Sequence, residues 1–253
     1  MKCGPVPGAG ALGLELCGVN ANSLPCAPMR TGRLKKIIFV TGTDTGVGKT
    51  VLTALLVAFL RRRGRAALAM KPFCSGSRRD ARLLRGLQKG CLTLDEVNPF
   101  YFDKPLAPGA AARNVPLGAV LGKISDLARR CEILVVEGVG GLFAPLGGNY
   151  AVRDLIRSLD CKVIVVSANR LGTINHTLLT VEALQVAGQK DVTIVVMGVK
   201  KPDISAESNA RMIRKMAPRT PVFEVPYLGF GASNGGGVKN NVIFLKKTLA
   251  RLL

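Results

Sequence analysis

The chain has 253 residues and carries 36 lysines and arginines against 16 aspartates and glutamates, a formal charge of +20. Its length suits one large domain, and no apolar run approaches the roughly 20 residues that a membrane-spanning helix needs, so neither a membrane span nor a membrane partner is expected. Such a charge attracts polyanions, but the sequence has no tryptophan, only three tyrosines and no interleaving of aromatic with basic residues. A solvated basic surface is therefore expected rather than a nucleic-acid partner. The seven cysteines are scattered without a C-x-x-C pair and His176 is the only histidine, which argues against a zinc site. Reduced thiols in a cytoplasmic protein are the expectation.

In chain order, residues 1–34 are rich in Gly, Pro, Ala and Leu and lack clear periodicity. They fit a secretory signal poorly and read as a disordered extension. From residue 35 to 253 one domain is expected. Strand-like apolar runs occur at 37–40, 66–70, 133–136, 163–166, 193–197 and, shorter, at 222–225. The strong runs are nearly continuous in Val, Ile and Leu, as strands buried on both faces require. Helix-like segments lie between them at about 49–63, 79–89, 117–130, 151–158, 173–187 and 206–217, with a last one near 239–252. Gly64 and Gly188 fall just past helix ends, where a left-handed cap is wanted. This alternation predicts an α/β fold with a mainly parallel sheet and helices on both faces. Ligands in such sheets bind beyond the carboxyl ends of the strands.

The segment after the first strand is Thr-Gly-Thr-Asp-Thr-Gly-Val-Gly-Lys-Thr at 41–50. A strand, a Gly-rich turn and a helix N-terminus build a phosphate cradle from backbone N–H groups and the helix dipole. Lys49 adds a full positive charge, and the Thr50 hydroxyl is placed to ligate Mg²⁺. The common pattern has Gly five residues before the second Gly; here that position is Thr43, so the loop is a variant.

Further candidates come after the other strands. Lys71-Pro-Phe-Cys-Ser-Gly-Ser77 puts an ammonium at a strand tip, where it could neutralise a transferring phosphoryl group. Asp80 opens the next helix, either as its N-cap or as a ligand to a cation. Glu137, at the end of a buried strand and before Gly-Val-Gly-Gly, is costly unless paired or bound to a cation. Gly172 and Thr173 open a helix whose free N–H groups could bind a carboxylate. His176 has no paired carboxylate at helical spacing and is not nominated as a catalytic base.

The segments 42–50, 71–77, 137–141 and 171–176 resemble dethiobiotin synthetase, as do 98–102 (Asn-Pro-Phe-Tyr-Phe) and 226–228 (Pro-Tyr-Leu). The motifs stand in family order from about residue 36 to the C-terminus. The resemblance implies a three-layer P-loop NTPase-like domain and an enzyme that uses ATP and Mg²⁺. Its substrates would be 7,8-diaminopelargonate and CO₂ or bicarbonate. One amine captures CO₂ as a carbamate, which attacks the γ-phosphate; the second amine then displaces phosphate from the carbamic–phosphoric anhydride and closes the ring.

The resemblance also distributes roles. Lys49 and the N–H groups of Gly46, Val47, Gly48, Thr50 and Val51 would hold phosphates, while Thr50, Asp80 and Glu137 would surround Mg²⁺. Lys71, with Lys49, would be the electrostatic catalyst. Gly138, Val139 and Gly140 would bring backbone close to the nucleotide. Thr45 and Ser75 would bond the substrate, and its distal carboxylate would rest on Gly172, Thr173, Ile174 and Asn175 of a partner subunit, which implies a homodimer with shared sites. Gly198 and Val199 stand where the family often has Asn-Asp to read adenine, leaving base recognition to backbone and to Pro226, Tyr227 and Leu228.

Three rivals compete. A partitioning-type ATPase carries an extra loop lysine, but the matching position is Asp44, and that type lacks the 71–77 segment. An amidotransferase-type ligase needs a glutaminase domain with a nucleophilic cysteine, for which no room remains. A regulatory nucleotide-binding module has no need of Lys71, Asp80 and Glu137 together.

Overall fold

The computed structural model describes residues 36–111, 114–229, 231–232 and 234–253; the extension expected at 1–34 lies outside the described residues. Among the described residues there are ten strands: β1 Lys36–Gly42, β2 Ala67–Met70, β3 Phe73–Ser75, β4 Phe100–Phe102, β5 Ile133–Glu137, β6 Pro145–Gly147, β7 Tyr150–Ala151, β8 Cys161–Ala168, β9 Val192–Met197 and β10 Val222–Val225. The α-helices are α1 Lys49–Arg62, α2 Arg79–Leu87, α3 Leu94–Val97, α4 Pro108–Ala111, α5 Leu117–Ala128, α6 Val152–Arg157, α7 Thr173–Val186, α8 Asn209–Met216, α9 Gly235–Phe244 and α10 Lys246–Arg251.

The six apolar runs form one sheet in the order β10-β9-β8-β1-β5-β2, and every pair in it is parallel. The chain steps one way from β1 to β2 and the other way from β8 through β9 to β10, so right-handed crossovers put helices on both faces. α1 packs with α2, α9 and α10, whereas α7 and α8 pack on each other along β8, β9 and β10. Ile38, Phe39, Val40, Leu134, Val135, Val136 and Val163 to Val166 are fully buried, which explains their unbroken apolar spelling. The sheet direction changes at β1, so the loop after β1 opens at the switch point.

β2 is an edge strand, and Gln88 completes it. The buried Gln88 amide accepts from Ala69 N at 2.8 Å and donates to Ala69 O at 2.9 Å and Leu84 O at 3.0 Å. One side chain thus satisfies backbone groups that a seventh strand would otherwise pair. Beyond β2 the chain turns at Pro72 into β3, which pairs in parallel with β4.

The helix ends conform to their glycines. Gly64 (φ 71°) and Gly188 (φ 91°) stand in the left-handed region and donate to Arg61 O and Gln185 O. The segment expected at 206–217 divides into a 3₁₀ turn Ile204–Glu207 and α8. The last segment, expected near 239–252, starts earlier and is broken at Leu245 into α9 and α10. Asn234 makes the early start possible: its side chain caps Gly237 N at 2.8 Å, offsetting three poor helix formers, Gly235, Gly236 and Gly237.

Candidate active site

The phosphate loop joins β1 to α1. Gly46 (φ 73°) and Gly48 (φ 103°) take left-handed conformations open to glycine at little cost. A Cβ at Gly48 would also press on the Met197 side chain at 3.2 Å, so the loop rests on the end of β9. Thr43 N is tied to Val166 O at 3.0 Å. Val47 turns inward and is 3% exposed; it contributes its backbone, and its side chain anchors the loop in the core.

Lys49 lies along this loop, donating to Asp44 O at 2.6 Å and Gly140 O at 2.7 Å. Burial lowers its pKa to about 8 against the opposing pull of Glu137. The 137–141 segment comes equally close: a Cβ on Gly141 would lie 3.2 Å from Thr43 O, and one on Gly138 would lie 3.1 Å from the Phe39 ring. The glycines there permit contact between the loop after β5 and the loop after β1.

Three ionised side chains meet beside the cradle. Lys71, just past β2, forms ion pairs with Asp80 and with Glu137, the latter at 2.7 Å. Burial pulls the Lys71 pKa down, but the carboxylates of Glu137 and Asp80 outweigh it and hold it above the ordinary lysine value. Glu137 is 1% exposed and its Oε1 also accepts from Thr50 Oγ1 at 2.6 Å. Asp80 is not an N-cap: α2 begins after Arg78, and Asp80 sits in its first turn with its carboxylate turned to Lys71. Of its two sequence readings, the cap is overturned.

The hydroxyl of Thr50 and the carboxylates of Asp80 and Glu137 form a hard oxygen set of the kind Mg²⁺ takes together with phosphate oxygens. Glu137 Oε2 is buried without a hydrogen-bond partner, and so is Ser75 Oγ. These orphaned acceptors suit a cation and a polar ligand. Among the described residues no group of three or more His, Cys, Asp and Glu could hold a metal alone, so phosphate would have to complete the set.

One cavity of about 1440 Å³ gathers Thr45, Gly46, Gly48, Lys49, Thr50 and Val51 with Lys71, Ser75, Asp80, Glu137, Val139 and Gly140. Its volume exceeds the usual range for one small molecule. Residues not anticipated from sequence also line it: Cys74, Phe143, Arg153 and the α7 residues Leu179, Glu182 and Val186. No local sequence signal marks them, because Phe143, Leu179 and Val186 are exposed apolar side chains that only the fold brings to the cavity. Burial pushes the Cys74 thiol up to about 11, so it stays protonated.

Two predicted groups lie elsewhere. Gly198 follows β9 and meets the segment after β10: Gly198 N donates to Val225 O at 2.7 Å, and a Cβ at Gly198 would stand 2.4 Å from Tyr227 N. Gly198, Pro226 and Tyr227 are therefore in contact, and this backbone has no room for a side chain at 198. Gly172 (φ 89°), Thr173, Ile174 and Asn175 begin α7 but do not line the cavity. The α7 start is instead fastened from behind, Asp203 Oδ2 accepting from Leu171 N at 2.9 Å and Asn209 bonding both Asn169 Oδ1 and Arg170 O.

Comparison with known proteins extends these observations. A family model described as an AAA domain matches residues 36–229. An ATP-dependent dethiobiotin synthetase of Bacillus velezensis is 38% identical over 201 residues, 76% of this chain and 84% of the relative. The synthetase of Bacillus subtilis is 36% identical over 219 residues, covering 83% and 92%, and that of Anaeromyxobacter dehalogenans 41% over 199 residues, covering 75% and 89%. Among solved structures, a MinC:MinD cell division complex of Aquifex aeolicus matches with a TM-score of 0.54 at 13% identity, over 85% of this chain and 96% of that one. A ParA family ATPase of Chlorobium tepidum gives 0.51 at 12%, over 85% and 93%; both show the P-loop NTPase-like fold alone. With the family model spanning the sheet and relatives of this identity spanning the site, the chain belongs to the ATP-dependent dethiobiotin synthetase family.

Proposed function

We propose that this chain carboxylates 7,8-diaminopelargonate with CO₂ and closes the ureido ring of dethiobiotin at the expense of ATP, in the cytoplasm. The observation that carries this reading is the Lys71 ammonium buried between Asp80 and Glu137 beside the Lys49 loop. Simple nucleotide hydrolysis needs the loop and a carboxylate. A second cation fixed at the neighbouring strand tip serves a reaction in which two anions, carbamate and γ-phosphate, must approach each other.

We assign the roles from position. Lys49 and the free N–H groups of residues 46–51 receive the phosphates. Bound Mg²⁺, held by Thr50, Asp80 and Glu137, would supply charge neutralisation for the phosphates. Lys71 orients the carbamate oxygen and stabilises charge without giving up its proton, consistent with its raised pKa. Thr45 and Ser75 offer hydroxyls to the ureido-forming end. Val199, Pro226, Tyr227 and Leu228, together with the backbone at Gly198, flank the base. The α7 start, 172–175, receives the distal carboxylate in a second subunit; that these four residues do not line the cavity of their own chain supports a homodimer. The same residues 35–253 then form one catalytic domain, with neither nucleic acid nor membrane as partner.

Expression in a bacterium that lacks its own dethiobiotin synthetase tests the reading. Growth without biotin is expected from the wild-type chain and not from Lys71→Ala. Failure of well-expressed, soluble wild-type protein to restore growth would contradict it.

A further inference from the structure

Lys71 stands where the main sheet ends. It comes directly after an edge strand, and Pro72 beyond it has no N–H to donate. The carbonyls of Lys71 and Pro72 both accept from one side chain, and Pro72 O accepts from Phe100 N as well, at 3.0 Å. Asn98 Nδ2 donates to Lys71 O at 2.9 Å and to Pro72 O at 3.2 Å, while Lys71 N donates to Val97 O at 2.8 Å. Asn98 is 1% exposed, so water does not compete for these bonds.

The amide itself is held from the far side. Arg78 Nε donates to Asn98 Oδ1 at 3.0 Å. Arg78 Nη2 donates to Asn98 O at 2.9 Å, Leu94 O at 3.1 Å and Asp95 Oδ1 at 2.6 Å. A guanidinium on the amide oxygen leaves only the NH₂ group to face Lys71, which fixes the flip state. Arg78 is also two residues from Asp80, whose carboxylate pairs with the Lys71 ammonium. The contacts form a closed ring: Lys71 backbone to Asn98, Asn98 to Arg78, Arg78 along the chain to Asp80, and Asp80 to Lys71 Nζ.

We infer that Asn98, oriented by Arg78, is a positioning residue that sets the reach of the Lys71 ammonium toward the phosphate loop. This rests on the reading of Lys71 as the electrostatic catalyst. A displacement of about 1 Å at such a group costs on the order of 100-fold in rate. Neither Asn98 nor Arg78 bonds the phosphate loop or lines the cavity, so their replacement should leave the binding of ATP little changed.

The test is steady-state kinetics of dethiobiotin formation at saturating bicarbonate and Mg²⁺. Asn98→Ala should lower kcat by about 10–100-fold with the KM for ATP within about threefold. Asn98→Asp keeps the shape and the Arg78 bond but loses both donors, and should fall in the same range. Arg78→Ala frees the amide to rotate and should lower kcat about 3–10-fold, and Arg78→Lys should not rescue it because one ammonium cannot reproduce the planar fork. Should Asn98→Ala not fold, Asn98→Asp and Arg78→Ala carry the test. Wild-type kcat in a folded Asn98 variant while Lys71→Ala is inactive overturns the positioning role alone. Full turnover in Lys71→Ala overturns the catalytic reading beneath it. Equal losses in kcat and in ATP affinity would mark a general structural defect and also overturn the inference.

Discussion

The Lys71 ammonium has two carboxylate neighbours and little access to water, so replacing it alters charge balance as well as catalysis. Lys71→Ala should reduce dethiobiotin formation at least about 100-fold, the scale of removing one electrostatic group from a transition state, with the ATP Kd changed by less than about threefold. It should also lose roughly 3–5 kcal/mol of stability in metal-free buffer, because Glu137 is left as an uncompensated buried charge. Calorimetric titration and thermal melts check both; loss of ATP binding with turnover surviving at saturating ATP would make Lys71 a nucleotide ligand instead. Gly198 makes a second case. The close approach of Tyr227 N excludes an adenine-reading side chain at that position, so kcat/KM for GTP and CTP should fall within about tenfold of that for ATP. A site that hydrogen-bonds its ligand through dedicated polar groups discriminates far more strongly, and a preference for ATP of about 1,000-fold would show that another element reads the base.

Among elements, the edge strand β2 depends on Gln88 as much as on its own residues. Gln88→Leu keeps the apolar volume but strands the Ala69 N–H and carbonyl, each at about 1–3 kcal/mol. A loss of roughly 2–4 kcal/mol in urea unfolding is expected, with the KM for ATP unchanged; an unaltered midpoint would mean the edge is satisfied otherwise. This element also shows where sequence reading stops. Strands β1, β2, β5, β8 and β9 were legible because burial on both faces demands unbroken apolar runs, and the phosphate loop because its glycines must adopt left-handed conformations; β10, with Glu224 exposed, is the weakest of the runs. β3, β4, β6 and β7 span only two or three residues, too few for any periodicity to register. The bond between Asn98 and the Lys71 backbone joins positions 27 apart, and nothing local in either segment announces it. Asp80 was legible as an acid near a helix start, but only the fold turns it from the helix to Lys71.

At the scale of the whole molecule, the fold by itself does not identify the reaction. MinD and ParA family proteins share this fold at 12–13% identity, so the reaction has to be read from the side chains at the strand ends, Lys49, Lys71, Asp80 and Glu137. The α7 start does not line the cavity of its own chain, and the proposed shared-site dimer therefore makes a sharp prediction. Inactive Lys71→Ala subunits mixed during refolding with inactive Gly172→Asp subunits should recover roughly a quarter of wild-type activity, since half the dimers would hold one intact site. No recovery from a mixture shown by light scattering to be dimeric would place substrate and catalyst in the same subunit.

The most direct measurement uses purified protein with 7,8-diaminopelargonate, ¹³C-bicarbonate, Mg²⁺ and ATP, with products tracked by mass spectrometry and phosphate release. The account predicts labelled dethiobiotin and one phosphate released per ring closed, with negligible phosphate in the absence of the diamine. Phosphate release that ignores the diamine, or no labelled product from folded protein that binds ATP, would contradict it.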